Sequence, residues 1–196
     1  RDVVSARPDG WRYGELTRDD VVAAGVAIAG RDGLASLTMR NLAAELGESS
    51  MNAYHHVGSK TELLDLVADA VLGMIPEPPG ALPWDEQLVA LFVASREVLV
   101  AHPGVSDHLL VRAVGHAHTA RLRDLTGRIL HSAGLDRRTV ERAQLTLASF
   151  LMGAVSTELA TAAAADRPTT VRAADDAGTF EFGIRTLVAG LRAGAA

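Results

Sequence analysis

The sequence predicts an all-α protein, and three observations support this fold class. Apolar residues recur three and four positions apart in one segment after another, which is the spacing of amphipathic helices. No segment of useful length alternates apolar and polar residues as a half-buried strand does. The 196 residues are 48% hydrophobic and 22% charged, a composition that excludes intrinsic disorder and suits one globular domain or two small ones.

The chain contains no cysteine, which excludes a disulfide scaffold and a thiolate metal site. We expect a soluble cytoplasmic protein, because no charged start followed by an apolar run resembles a secretory signal and the lack of cysteine fits a reducing compartment. The most apolar window, residues 145–165, includes Glu158 and several hydroxyl side chains. We interpret it as a buried or dimer-forming helix and not as a membrane span.

The first helix follows a loose arm. Residues 1–16 are mixed polar and contain proline and glycine, so they predict the arm. Thr17 and Asp20 have the spacing of a capping box and predict the start of the helix. Gly30 and Gly33 are expected to end it.

Two short helices with a tight turn between them come next. Apolar positions predict the first over residues 39–46, which Gly47 then breaks, and the second over about residues 49–56. A capping-box spacing at residues 59–62 predicts a further helix that runs to about residue 74.

A proline-rich segment marks the main boundary of the chain. Four of the seven prolines lie within residues 75–83, and we interpret this segment as a linker between a domain over 17–74 and a helical domain over 84–196. Helical spacing in the second domain predicts helices over about residues 84–101, 107–114, 118–132, 139–165 and 178–193, with a loop over 166–177.

The two short helices have the spacing of a helix-turn-helix, which lays its second helix in the major groove of DNA. Short polar side chains at the start of that second helix can reach base edges. The predicted base-reading residues are Ser49, Ser50, Met51 and Asn52. Side chains at the edges of the motif are expected to hold phosphates, and these are Arg40, Tyr54 and Lys60.

The charge balance of the first 70 residues does not favour DNA binding. Seven basic residues stand against eleven acidic ones there, a net charge of about −4. A DNA-binding domain usually has a basic footprint, so the affinity would depend on a local patch and on a dimer. An all-α ligand- or partner-binding protein with a vestigial helix-turn-helix therefore stays an alternative.

Two runs of residues carry a resemblance to a known family. The first is Leu37-Thr38-x-Arg40-x-Leu42-Ala43-x-x-Leu46-Gly47, and the second is Tyr54-x-His56-Val57-x-x-Lys60-x-x-Leu63-Leu64-Asp65. Together they resemble the DNA-binding signature of the tetracycline-repressor (TetR) family, over about residues 16–72.

The resemblance implies a homodimer with two helix-turn-helix units and a four-helix interface built from the last two long helices of each subunit. It implies a repressor that binds a palindromic DNA operator and is released by a small-molecule effector in the C-terminal domain, with no required cofactor. By position, it assigns base or backbone contacts to Arg40, Ser50, Met51, Asn52, Tyr54, His55, His56 and Lys60. Two residues depart from the family pattern: Glu48 stands where the family usually has a buried valine or a similar residue, and Ala53 where it often has leucine.

Four histidines within 17 residues, His102, His108, His116 and His118, suggest a metal site. His116 and His118 are two apart and point to different faces of a helix, and no cysteine is available. We therefore expect structural or solvent-exposed histidines and no metal. An apolar effector pocket needs a few polar anchors, and the candidates are Trp84, His108, Arg112, Ser149 and Glu158.

No enzyme motif competes with this interpretation. The sequence lacks the nucleophile elbow, the phosphate-binding P-loop, the zinc-protease helix and the dinucleotide-binding glycine pattern. We expect a regulator without enzymatic activity. The sequence leaves open whether it is a repressor, an activator or a regulator that ignores ligands.

Overall fold

The computed structural model describes residues 16–47, 56–112, 116–163 and 169–194, the side chains of 169–176 excepted. Every regular element in these ranges is helical, so the prediction of an all-α fold is confirmed. The helices are α1 Arg18–Asp32, α2 Met39–Leu46, α3 Lys60–Gly73, α4 Trp84–Val100, α5 Val105–Val111, α6 Ala117–Ser132, α7 Arg137–Ala163 and α8 Thr169–Gly194, with a 3₁₀ turn at Leu34–Ser36 between α1 and α2.

The N-terminal helices pack around one small core, which we call the head (residues 16–47 and 56–73). Helix α1 lies against α2 and α3, and Val21 and Ile28 of α1 are buried in the same hydrophobic cluster as Leu63 and Val67 of α3. The predicted capping box is confirmed, because the Thr17 side chain accepts from the N–H of Asp20 while the Asp20 side chain bonds back to the Thr17 N–H.

Helix α1 is longer than the sequence predicts, and Gly30 lies inside it. Gly33 ends the helix with φ 80°, a backbone conformation that favours glycine. Gly30 continues the helix, and a Cβ there would make only an ordinary van der Waals contact, 3.4 Å from the ring of His102. A glycine inside a helix costs about 1 kcal/mol relative to alanine, so it need not end one.

The C-terminal helices form a second layer around α4, α7 and α8. Leu88, Leu99, Leu147, Ile184 and Val188 form part of its core. The linker after α3 has no helix between Met74 and Pro83.

Two predicted boundaries in this region are wrong. Helix α8 begins at Thr169, so most of the predicted loop over 166–177 is helical. This stretch lacks an apolar stripe, but its alanines favour a helix, so periodicity alone missed it. Helix α5 covers Val105–Val111 and not 107–114, because Gly104, with φ 89°, precedes it directly.

Helix α7 is long and apolar enough to cross a membrane by length and composition. Only 17% of its most apolar window is buried in the single chain. Leu145 on α7 and Phe182 on α8 are 71% and 74% exposed. The two long C-terminal helices therefore present apolar surface that one chain leaves uncovered.

Candidate nucleic-acid interface and its connection to the C-terminal helices

Helix α2 is held at both ends by local bonds. Thr38 caps it, with Oγ1 accepting from the N–H of Asn41 at 3.1 Å, and the Asn41 side chain donates to the Ser36 carbonyl at 2.8 Å. Gly47 ends it in the left-handed conformation, with φ 69° and ψ 26°. Glycine adopts this conformation without strain, and the segment predicted to read DNA follows it in the sequence.

The structure describes three of the predicted DNA-contacting residues. Arg40 is exposed on α2, and Lys60 is the exposed first residue of α3. His56, which lies between them in the sequence, is half-buried. The other predicted contacts and the two departures from the family pattern lie outside the described residues: Glu48, Ser49, Ser50, Met51, Asn52, Ala53, Tyr54 and His55.

The N-terminus of α3, where Lys60 lies, is closed by a modified capping box. Ser59 Oγ accepts from the N–H of Glu62 at 3.1 Å, as predicted. The Glu62 carboxylate bonds the N–H of Gly58 at 2.9 Å and pairs with Arg18, whereas a full box would return to Ser59. The Glu62 carboxylate therefore already has two partners, Gly58 and Arg18. Lys60, the first residue of α3, lies at the positive end of the helix dipole.

Helix α3 also joins the head to the C-terminal helices, first through Asp65. One carboxylate oxygen lies 2.7 Å from His108 Nε2 and accepts from Arg112 Nε at 2.9 Å, while the other accepts from Arg112 Nη2 at 2.9 Å. Burial alone would raise the pKa of Asp65, but the hydrogen bonds and positive charges of Arg112 and His108 outweigh it and lower this pKa below its usual value.

Asp69, one turn further along α3, makes a second connection. It is 6% exposed and accepts from the backbone N–H groups of His118 and Thr119 at 3.2 and 2.9 Å, and from Thr119 Oγ1 at 2.9 Å. These N–H groups belong to the first turn of α6. The N-cap residue of α6, His116, makes no side-chain capping bond, so Asp69 supplies the cap from another helix.

Arg121 on α6 bonds in the opposite direction. Its Nη2 donates to the carbonyls of Ile75 and Leu72 at 2.9 and 3.4 Å, at the C-terminal end of α3. It also lies 3.4 Å from the carboxylate of Glu77. The Leu72 carbonyl also accepts from the N–H of Ile75 at 3.2 Å, so Arg121 adds a second donor there and complements the negative end of the helix dipole.

A separate bond ties the head to the corner before α5. The N–H of Leu34, in the 3₁₀ turn, donates to the Pro103 carbonyl at 2.7 Å. His102 is buried next to it, with Nδ1 donating to the Val98 carbonyl at 2.7 Å and its ring against Gly30. The head therefore contacts the C-terminal helices along α3 and at this corner.

The five predicted effector contacts do not converge. His108 and Arg112 meet on Asp65, and Trp84 lies half-buried at the start of α4. Ser149 and Glu158 line an open cavity of about 420 Å³ between α7 and α8. Among the described residues, no group of three or more His, Asp or Glu side chains is arranged to hold a metal ion.

Glu158 is engaged by a residue that the sequence analysis missed. Arg96 on α4 donates to its two carboxylate oxygens at 2.8 and 2.5 Å, and both side chains are about nine-tenths buried. The guanidinium carbon lies 5.9 Å from the ring centroid of Phe180, which stacks on Phe150. The sequence offers one signal for Arg96, which is a charged residue among the apolar positions of α4. Asp65 and Asp69, four residues apart on the apolar helix α3, are a signal of the same kind.

We predict that Asp65→Asn destabilises the protein by about 1 kcal/mol at neutral pH, because half-exposed Arg112 is screened by water. The pKa of Asp65 is lower in the folded protein than in the unfolded chain, where it is about 3.9, so its ionisation stabilises the fold above that pH. This stabilisation is lost as the pH falls through the pKa of the folded state. The difference between wild type and Asp65→Asn should therefore shrink in acid. Urea unfolding at a series of pH values measures it, and a difference that stays constant down to about pH 2 would contradict the ion pair.

Comparison with known proteins gives relatives across nearly the whole chain, although no family model matches. A curated HTH-type transcriptional regulator of Saccharopolyspora erythraea is 32% identical over 144 residues, which are 73% of this chain and 61% of that protein. The chain spans less than two thirds of the length of the curated relatives it matches.

Solved structures cover more of the chain. BioQ of Mycobacterium smegmatis is 30% identical with a TM-score of 0.75, over 91% of this chain and 99% of BioQ, and BioQ has also been solved with its natural double-stranded DNA operator. The TetR family protein ActR of Streptomyces coelicolor, in complex with actinorhodin, is 27% identical with a TM-score of 0.76, over 93% of this chain and 100% of ActR. With a capped α2, a left-handed Gly47 and these relatives along its length, the chain belongs to the TetR family of transcriptional regulators.

Proposed function

We propose that this protein is a homodimeric transcriptional repressor, which binds a palindromic DNA operator and leaves it when a small-molecule effector enters the C-terminal domain. The observation that carries the proposal is the head. There α2 ends at a left-handed Gly47 directly before the polar segment 49–52, the order of elements that presents a second helix to the major groove. The operator complex of BioQ and the actinorhodin complex of ActR support the two halves of the proposal.

The dimer is supported by the exposed face of α7. Leu145 and Ser149, one turn apart on this face, are both exposed, Leu145 by 71%. With Phe182 of α8, this face provides the apolar surface that a four-helix interface between two copies would bury. The two heads would then stand about 34–36 Å apart, the spacing of successive major grooves on one side of B-DNA.

The remaining parts of the proposal follow from this function. The effector is a small molecule of unidentified structure, and no cofactor or metal is required for DNA binding. The protein acts in the cytoplasm, where the DNA is, and has no enzymatic role. Release by the effector requires that it bind more tightly to a dimer whose heads are displaced from the groove spacing.

A gel shift with DNA flanking the protein's own gene tests the proposal, at about 100 mM salt and with random competitor DNA. A competitor-resistant shift confined to a near-palindrome is the expected result. Selection from a random duplex library follows if that DNA fails. If the dimer selects no duplex, the protein has a helix-turn-helix that has lost DNA binding. The negative net charge of the first 70 residues would then be the reason. A shift that no small molecule reverses identifies a ligand-insensitive regulator.

Two substitutions distinguish base reading from phosphate binding. We predict that Lys60→Ala weakens binding to all sequences alike and lowers the slope of log affinity against log salt by about one. Asn52→Ala should instead cost about 1–3 kcal/mol on the operator and relax recognition at one base step. Titrations of specific and random duplexes at several salt concentrations measure both. Equal losses on the two duplexes for Asn52→Ala would exclude its reading role.

A further inference from the structure

We propose that Asp69 and Arg121 are positioning residues for DNA recognition, because each caps the helix that carries the other. Asp69 on α3 closes the start of α6, and Arg121 on α6 closes the end of α3. The C-terminal end of α3 and the start of α6 are then ordered together, and this fixes the position of the head relative to the C-terminal helices. The DNA part of this inference rests on the proposed function.

The capping of α6 depends on the position of α3. The three bonds to Asp69 are the only side-chain caps that the structure gives for the first turn of α6 among its described residues, since His116 supplies none. If α3 moved by a few ångströms, a 6%-exposed carboxylate would lose its donors and two N–H groups would lose their acceptor. Unsatisfied buried groups of this kind are costly.

The capping of α3 depends in turn on the position of α6. The carbonyls of Leu72 and Ile75 receive the Arg121 guanidinium, whose side chain is 30% exposed. A single nitrogen, Nη2, donates to both carbonyls, while Nη1 faces the Glu77 carboxylate. The start of α6 therefore has its side-chain cap only when α3 is in place, and the end of α3 has the donors and the charge of Arg121 only when α6 is in place.

The two helices are also in direct contact near their capped ends. A Cβ on Gly73 of α3 would lie 2.9 Å from ring atoms of His118 on α6, so the helices are already in contact there. Asp65, one turn before Asp69, holds Arg112 directly before the α5–α6 connection. The connection is therefore fastened to α3 on both sides, by Asp65 before it and by Asp69 after it.

Hydrogen exchange of the full-length dimer tests the reciprocal cap. In Asp69→Ala, and in the milder Asp69→Asn, the amides of His118 and Thr119 should exchange about tenfold faster, the size of a lost helix cap. Arg121→Gln should accelerate the same two amides, although it contacts neither. Asp124→Asn, an exposed acid on the same helix, is the matched control and should leave them unchanged. Unchanged amides in Arg121→Gln would overturn the reciprocal cap.

Positioning is tested by adding the duplex that the wild type selects from a random library. DNA bound at the head should slow exchange at His118 and Thr119 several-fold in the wild type, because linkage is reciprocal. Asp69→Asn should abolish this effect and weaken operator binding, while Asp124→Asn keeps both. A cap that is merely structural gives the same exchange with and without DNA, which would overturn the proposal. If the wild type selects no duplex, the proposed function and the positioning role fail together, and the cap itself is still decided by Arg121→Gln.

Discussion

Arg96→Ala is expected to lower the free energy of unfolding by about 3–5 kcal/mol, because it leaves a buried carboxylate without its partner. Arg96 is 8% exposed and donates two hydrogen bonds to Glu158, at 2.8 and 2.5 Å. Once the guanidinium is removed, the Glu158 carboxylate, whose side chain is 11% exposed, is left without its charged partner. Chemical denaturation followed by circular dichroism measures the loss.

A double variant distinguishes the cost of leaving Glu158 unpaired from the net contribution of the Arg96–Glu158 pair to the free energy of unfolding. Arg96→Met combined with Glu158→Leu removes both charges and keeps apolar volume, so it should come within about 1–2 kcal/mol of the wild type or exceed it. Arg185→Ala, which breaks exposed pairs with Glu86 and Glu181, is the matched control and should cost less than about 1 kcal/mol. An Arg96→Ala loss no larger than that of the control would show that the Glu158 site is hydrated.

Gly25→Val is expected to destabilise the head by about 1–3 kcal/mol and to weaken operator binding with it. Gly25 lies where α1 crosses α3, and a Cβ there would stand 2.5 Å from Cγ2 of Val67. Val67 is fully buried and branched at Cβ, so it has no free rotamer into which it can retreat. The helices must separate instead, which displaces α3. Thermal unfolding and the gel shift together measure both effects.

Making space at the contact between residues 25 and 67 should restore the stability of the head. Val67→Ala removes the atom that Gly25→Val would strike, so the double variant should be more stable than the sum of the two single effects predicts. Gly178→Val on α8, where nothing lies within 4 Å of the added atom, is the control for the change of residue type. Additive losses in the double variant would show that the strain lies elsewhere.

Local signals explain what the sequence predicted well. The caps at Thr17 and Ser59 and the turn at Gly47 depend on residues within four positions of one another, so the partners are neighbours in the sequence. The fold class follows from the same short-range periodicity. Gly30 does not end α1 as predicted, because a glycine inside a helix costs only about 1 kcal/mol relative to alanine and the chain ends the helix at Gly33.

The connection between the head and the C-terminal helices was not predictable in this way. Asp69 and Thr119 are 50 residues apart, and Arg96 and Glu158 are 62 apart. A single sequence marks Asp69 as an acid on an apolar helix, but it does not say which helix start it closes. The predicted effector residues were scattered for the same reason, because side chains chosen separately by type need not meet in space.

The bond between Leu34 and Pro103 has a geometric consequence for how the head turns. The head is held at Leu34 on this corner and at two residues of α3, Asp65 and Asp69. Two points on α3 alone would leave a rigid body free to rotate about the line through them, and the third point, which lies on another element, removes that rotation. The head can therefore turn relative to the C-terminal helices only if at least one of these three contacts breaks.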